Sequence, residues 1–153
     1  MSVERVVELN CRYARCLDEN RLKDWPEFFT DECRYLIQPR DNLEQGMEGY
    51  WLYFEGKRML RDRVVSLLDV NIYHIHYERR MVSNVMLTGR EGDAWLARAN
   101  YLMLHTDNDG RSHIFSTGEY RDRIVESGGT LRFAERQVIP DTFTVASHIS
   151  MPI

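Results

Sequence analysis

From Val3 onward, apolar residues recur at Val6, Val7, Tyr13, Ala14 and Leu17, the spacing of one face of a 3.6-residue helix, and Ser2 stands where an N-cap is expected. Arg21 to Phe29 predicts a short second helix, capped by Asp24, with Pro26 in the first turn where its missing N–H is not needed. Cys33, Tyr35 and Ile37 then alternate with Glu32, Arg34 and Gln38, the period-two mark of a half-buried strand. Residues 39–56 carry Pro39, Gly46, Gly49 and Gly56 among polar neighbours and read as a long loop. Lys57 to Leu68 returns to helical spacing, with Leu60, Val64, Leu67 and Leu68 on one side and Lys57, Arg58, Arg61 and Arg63 on the other. After Asn71 the pattern is stranded, over 77–87, 95–105, 114–125 and 131–139. The strands are separated by turn signals at Gly89–Asp93, Asp107–Gly110 and Ser127–Gly129.

Helices first and long strands afterwards predict an α+β fold, N-terminal helices packed on one face of a curved antiparallel sheet. No linker or repeat divides the chain, so residues 1–153 read as a single domain. The 43% hydrophobic and 11% aromatic content argues against disorder, and a net charge of -4 argues against a general affinity for nucleic acid or anionic lipid. No apolar run approaches the ~20 residues needed to span a bilayer. Glu4, Arg5, Glu8, Arg12 and Arg15 leave no apolar signal core, so a cytoplasmic protein with reduced thiols is expected. Of the three cysteines, Cys11 and Cys16 are spaced ~7.5 Å along a helix and about 140° around it, a poor geometry for joint ligation.

The chain lacks several kinds of catalytic equipment. No glycine cluster forms a nucleotide cradle and no serine sits in a G-x-S-x-G elbow. A Rieske cluster needs closely paired cysteines and histidines, yet the histidine nearest to any cysteine is His74, far from Cys33. His74, His76 and Glu78 share one strand face and carry the residue types of a facial iron triad. Same-face positions ~6.5–7 Å apart do not converge on one ion, so a solvent-facing or subunit-facing strand start is the expectation. Trp95, Ala97, Ala99, Tyr101, Met103 and His105 also share a face, and with Tyr35 they could shape an apolar pocket holding a phenol and an imidazole. Plain core packing is the favoured reading of that set.

A family resemblance emerges from several motifs taken in order. Trp25-Pro26-Glu27-Phe28-Phe29-Thr30 and Cys33-Arg34-Tyr35 are followed by Asp41-Asn42, Gly46, Met59-Leu60-Arg61-Asp62-Arg63 and Asn71-Ile72-Tyr73. Gly118-Glu119-Tyr120, Leu131-Arg132-Phe133-Ala134-Glu135-Arg136, Asp141-Thr142 and Pro152-Ile153 complete the series. Together they resemble the beta (small) subunits of aromatic-ring-hydroxylating dioxygenases, from about Asp18 to Ile153. The resemblance implies a cone-shaped, nuclear-transport-factor-like fold and a non-catalytic assembly role. It also implies an alpha (large) subunit partner that holds the Rieske [2Fe-2S] cluster and the mononuclear iron. The implied assembly has three alpha and three beta chains, with a homotrimer possible for the isolated chain. The Trp-Pro and Asn-Ile-Tyr motifs look closest to members acting on aromatic carboxylates such as anthranilate, salicylate or terephthalate.

A ring subunit meets two kinds of neighbour, and interfaces favour aromatics, Met and Arg. Trp51, Tyr53, Arg58 and Arg61 are therefore the expected contact residues. The competing functions are a stand-alone isomerase or dehydratase using Tyr35, Tyr101 and His105 in the same cone, and a free-standing ligand-binding module.

Overall fold

The computed structural model describes residues 1–70, 77–141 and 151–153. Its elements are α1 (Val3–Asp18), a 3-10 helix (Leu22–Phe28), β1 (Phe29–Ile37), α2 (Arg40–Glu44), β2 (Leu52–Glu55) and α3 (Lys57–Val65). A π-helical turn (Ser66–Val70) follows, then β3 (Tyr77–Glu91), β4 (Ala94–Thr106), β5 (Ser112–Ser127) and β6 (Thr130–Pro140). The strands form one open sheet in the order β2-β1-β6-β5-β4-β3. Four of its pairings are antiparallel; β1 lies parallel to β6, where the sequence reading has the sheet antiparallel throughout. Helix α1 packs on both β3 and β6, which two other strands separate, so the sheet wraps around the helix into a cone. Interruptions in register after Ser83, Leu87, Met103 and Arg123 add the local twist that such curvature needs. Asn84 takes a positive φ of 52° within the first of them.

The helix predicted from Val3 is present, but its buried face runs through Val6, Leu9, Asn10, Tyr13, Ala14, Cys16 and Leu17. Val3 and Val7 are exposed, because Val7 is turned about 100° from Val6 around the axis. Ser2 occupies the N-cap position without a side-chain capping bond. The second helix is a 3-10 segment that begins after Arg21, so Asp24 lies inside it rather than capping it, and its carboxylate pairs with Arg21. The segment read as a loop holds α2 and the four-residue strand β2, both too short to register as a period. Trp51 N–H donates to Ile37 O at 2.8 Å, which starts the β2–β1 pairing. In α3, Leu60 and Val64 are buried as expected, and Leu67 is buried in the turn after it. Leu68 is exposed because the winding changes to π there. Lys57, expected on the polar side, is buried and pairs with Glu27 and Asp31, each at 3.3 Å.

The core is strongly aromatic. Trp25, Tyr35 and Phe29 meet edge to face, with ring centres 5.4–6.0 Å apart, and Tyr13 meets Phe133 at 5.7 Å. At its centre lies the guanidinium of Arg136, fully buried. Asp122 takes it in a fork, Nε to Oδ1 at 2.9 Å and Nη2 to Oδ2 at 2.8 Å, and Asn10 Oδ1 accepts a further bond from Nη2. The Tyr13, Tyr120 and Phe133 rings lie 3.9–4.3 Å from its central carbon. Helix α1 is thereby tied to β5 and β6 through one charged group.

Two stability outcomes follow from these contacts. Asp122→Ala strands a buried cation and is expected to cost about 3–5 kcal/mol in urea unfolding, part of which Arg136→Met in the same chain restores. A loss from Asp122→Ala below about 1 kcal/mol would contradict the reading. Gly118 lies so close to β6 that a Cβ would overlap the Ile139 carbonyl and stand 2.9 Å from the Tyr101 ring. Gly118→Ala should therefore lower the unfolding midpoint, with a cost of at least about 1–3 kcal/mol.

Candidate subunit interface

Inside the cone, the hydroxyls proposed for catalysis are engaged by other groups. Tyr35 Oη donates to Ile153 O at 3.1 Å and accepts from Ile153 N–H at 2.9 Å. Tyr101 Oη pairs with Ser116 Oγ at 2.9 Å, and its ring stacks on Tyr120 at 4.8 Å. Burial pushes both phenols well above their ordinary range, so they remain protonated. His105 lies at the far end of β4, its ring 5.1 Å from that of His113 and 6.0 Å from Phe115. Tyr35 and Tyr101 thus hand their hydroxyls to different partners. Of the suggested triad, His74 and His76 lie outside the described residues, while buried Glu78 accepts a bond from Arg80 Nη2 at 2.8 Å.

On the outside, the four expected contact residues fall into two groups. Half-buried Trp51 and exposed Tyr53 lie at and beside β2. Tyr53 meets Tyr50 at 5.4 Å, and both line a hollow of about 490 Å³ with Arg34, Leu36, Glu48, Glu135 and Gln137. Arg58 and Arg61 project from the open side of α3. Arg58 pairs with Asp62 at 3.9 Å, one helical turn on. Arg61 Nη2 donates to Glu27 Oε1 at 2.9 Å. The Arg61 bond, helped by Lys57, holds the Glu27 carboxyl below its usual range against a smaller burial effect.

A second exposed surface lies on the sheet, away from the four expected contact residues. Met81 on β3 pairs with Leu102 on β4, and Leu104 pairs with Ile114 on β5, so these side chains share the outward face of the sheet. Tyr77, Met81 and Ile114 are 61%, 48% and 60% exposed. Arg98 and Arg121 border them, both bonded to Glu119 at 2.6 Å, and their pull outweighs the effect of burial to hold that carboxyl low. The signal was available in β4: Leu96, Leu102 and Leu104 alternate with Ala97, Ala99, Tyr101 and Met103. A strand that is apolar on both faces is one whose two faces are meant to be covered.

Residues 12–147 match the model of the ring hydroxylating beta subunit family. The chain belongs to this family. It is 37% identical over 145 residues to the anthranilate 1,2-dioxygenase small subunit of Burkholderia cepacia, covering 95% of this chain and 90% of that one. It is 28% identical over 151 residues to beta subunit 2 of the terminal oxygenase component of terephthalate 1,2-dioxygenase from a Comamonas species, covering 97% of each chain. A crystal structure described as the beta subunit of an aromatic-ring-hydroxylating dioxygenase from Novosphingobium aromaticivorans superposes with a TM-score of 0.89. That match has 38% identity and covers 98% of this chain and 95% of the other. A scytalone dehydratase-type structure from the same organism, with TM-score 0.71 and 17% identity over 97% of this chain and 89% of its own, shares the fold alone.

Beta-subunit membership explains the surface better than the interior. Among the described residues, the cysteines do not fit a Rieske cluster. Cys11 is exposed, Cys16 is buried with Sγ donating to Arg21 O, and burial raises the Cys33 thiol to about 11. Among the described residues, no group of three or more His, Cys, Asp or Glu is placed to hold a metal ion. No helix of the described residues is long and apolar enough to cross a membrane.

The Arg61–Glu27 contact yields a titration test. Because the folded pKa of Glu27 is depressed, the pair stabilises the fold above the ordinary glutamate pKa, and that contribution is lost as pH falls through the depressed value. Arg61→Ala should move the Glu27 carboxyl signal in an NMR titration back up toward the usual range. An unchanged titration would show that Arg61 does not set it.

Proposed function

We propose that this chain is a non-catalytic assembly subunit of an aromatic-ring-hydroxylating dioxygenase, and that it holds alpha subunits in a closed ring. In this reading the Rieske [2Fe-2S] cluster and the mononuclear iron belong to the alpha subunit, and three alpha chains join three of these. The anthranilate and terephthalate relatives support an aromatic carboxylate as the ring that the complex hydroxylates. A reducing cytoplasmic setting suits its buried free thiols.

The observation that carries the proposal is the contrast between a packed interior and a surface with exposed apolar ground beside exposed arginines. Tyr77, Met81 and Ile114 on the sheet, and Trp51, Tyr53, Arg58 and Arg61 around β2 and α3, offer two separate areas for two kinds of neighbour. Aromatic, Met and Arg side chains are those enriched at interface centres.

Replacing Trp51, Tyr53, Arg58 and Arg61 together with alanine should weaken co-purification with the co-expressed alpha subunit by at least about tenfold. The circular dichroism of the isolated chain should be preserved. Retention of the alpha subunit at wild-type yield would remove these four residues from the interface.

A further inference from the structure

The outward face of β3, β4 and β5 is apolar at one end and charged beyond it. At the apolar end Met81 lies opposite Leu102, Leu104 lies opposite Ile114, and Tyr77 stands at the outer row. Tyr77, Met81 and Ile114 are so exposed that together they leave roughly 300–400 Å² open to solvent, the size at which an apolar patch marks a contact surface. That is close to half of the ~800 Å² that each partner of a stable interface covers. The other outward positions of these rows are the hydroxyl residues Thr106, Ser112 and Thr117, together with Arg79, and no carboxylate stands among them. Thr106 Oγ1 and Ser112 Oγ bond each other at 2.8 Å. The Arg79 guanidinium is drawn to the end of α1, where Nη1 donates to Asp18 O at 3.3 Å and to Glu78 O at 3.1 Å. At the border of the patch Arg98 and Arg121 lie opposite each other, and Glu119 of the same chain answers both at 2.6 Å.

We propose that this apolar end of the sheet seats a second copy of the chain, with the same residues of neighbouring copies gathered around a common axis. Where identical surfaces meet near a symmetry axis, each side chain lies close to its own counterpart, so a charge there would face a like charge. Apolar groups and hydroxyls are compatible with themselves. The patch holds these alone apart from Arg79, whose cation is engaged at the end of α1. An unlike partner is selected by opposite charges across the contact, and the patch directs none outward. The arginines at its border are paired within their own chain, which lets two copies approach without opposing bare cations. The inference rests on the assembly role proposed above, to which it adds the identity of the neighbour on the sheet.

Met81→Glu combined with Ile114→Glu puts like charges where the copies meet, at two positions that are exposed in the single chain. Sedimentation of the isolated wild-type chain should show reversible self-association, which the double variant weakens at least about tenfold. Native mass spectrometry of the variant co-expressed with the alpha subunit should show alpha still bound, in smaller particles that hold one beta chain each. Three results overturn the proposal: association unchanged by the variant, a wild-type chain that stays single both alone and with alpha, or loss of alpha while the beta chains remain joined. A wild-type chain that associates through this surface yet retains no alpha would uphold the surface and refute the assembly role instead. Where circular dichroism shows the variant unfolded, wild-type protein mixed from isotope-labelled and unlabelled chains decides. Nuclear Overhauser contacts between copies should join the methyl groups of Met81 and Ile114, and their absence from the associated protein overturns the proposal.

Discussion

A guanidinium taken out of water costs several kcal/mol unless its charge and its hydrogen bonds are met, and the centre of this molecule answers the charge of Arg136 and the bonds of its Nε and Nη2, while Nη1 has no hydrogen-bond partner among the described residues. Asp122 supplies the opposite charge from β5, Asn10 supplies an acceptor from α1, and three aromatic faces from α1, β5 and β6 enclose the ion. Those partners come from the β5–β6 hairpin and from α1, more than a hundred residues earlier in the chain. The cation is satisfied only when α1 lies in the hollow of the sheet, so this one group makes the curvature of the sheet and the seating of the helix conditions of each other. Breaking the node on one side leaves a buried ion with nowhere to go, so loss of one partner should cost more than loss of the pair.

The consequence for function is that the interior is spoken for. Aromatic rings, the Arg136 node and residues 151–153 fill the space that the cone encloses among the described residues. What remains uncovered lies outside, in the Tyr77, Met81 and Ile114 face of the sheet. A subunit built this way contributes shape and contact surface to an assembly. That agrees with its membership of the ring hydroxylating beta subunit family.

Much of the layout was legible in the residue pattern, and its failures have physical causes. The long strands were legible because runs of 11 to 16 residues in β3 to β6 lie between clear turn signals. Strand β2, with four residues, is too short to show a period, and its place is set by pairing with β1 across the sequence. Lys57 reads as solvent-facing from charge alone, yet Glu27 and Asp31 bring carboxylates to it and make its burial affordable. Arg136 gave no local sign of its position, because its satisfaction depends on Asn10 and Asp122, 126 and 14 residues away. The outward apolar face was visible in Leu102 and Leu104 but became a surface only once β3 and β5 set Met81 and Ile114 beside them. The tail's place in the cone is likewise a tertiary fact, invisible in a Met-Pro-Ile string.

The central claim is that oxygen-activating chemistry belongs to the alpha subunit and this chain supplies the structure that holds it. The most direct test is to co-express the two, separate them under non-denaturing conditions, and measure iron and aromatic-acid hydroxylation for each. The account predicts that iron stays wholly with the alpha chain and that the separated beta chain carries no metal and converts no substrate. Stoichiometric iron on the beta chain, or turnover by it alone, would contradict the account.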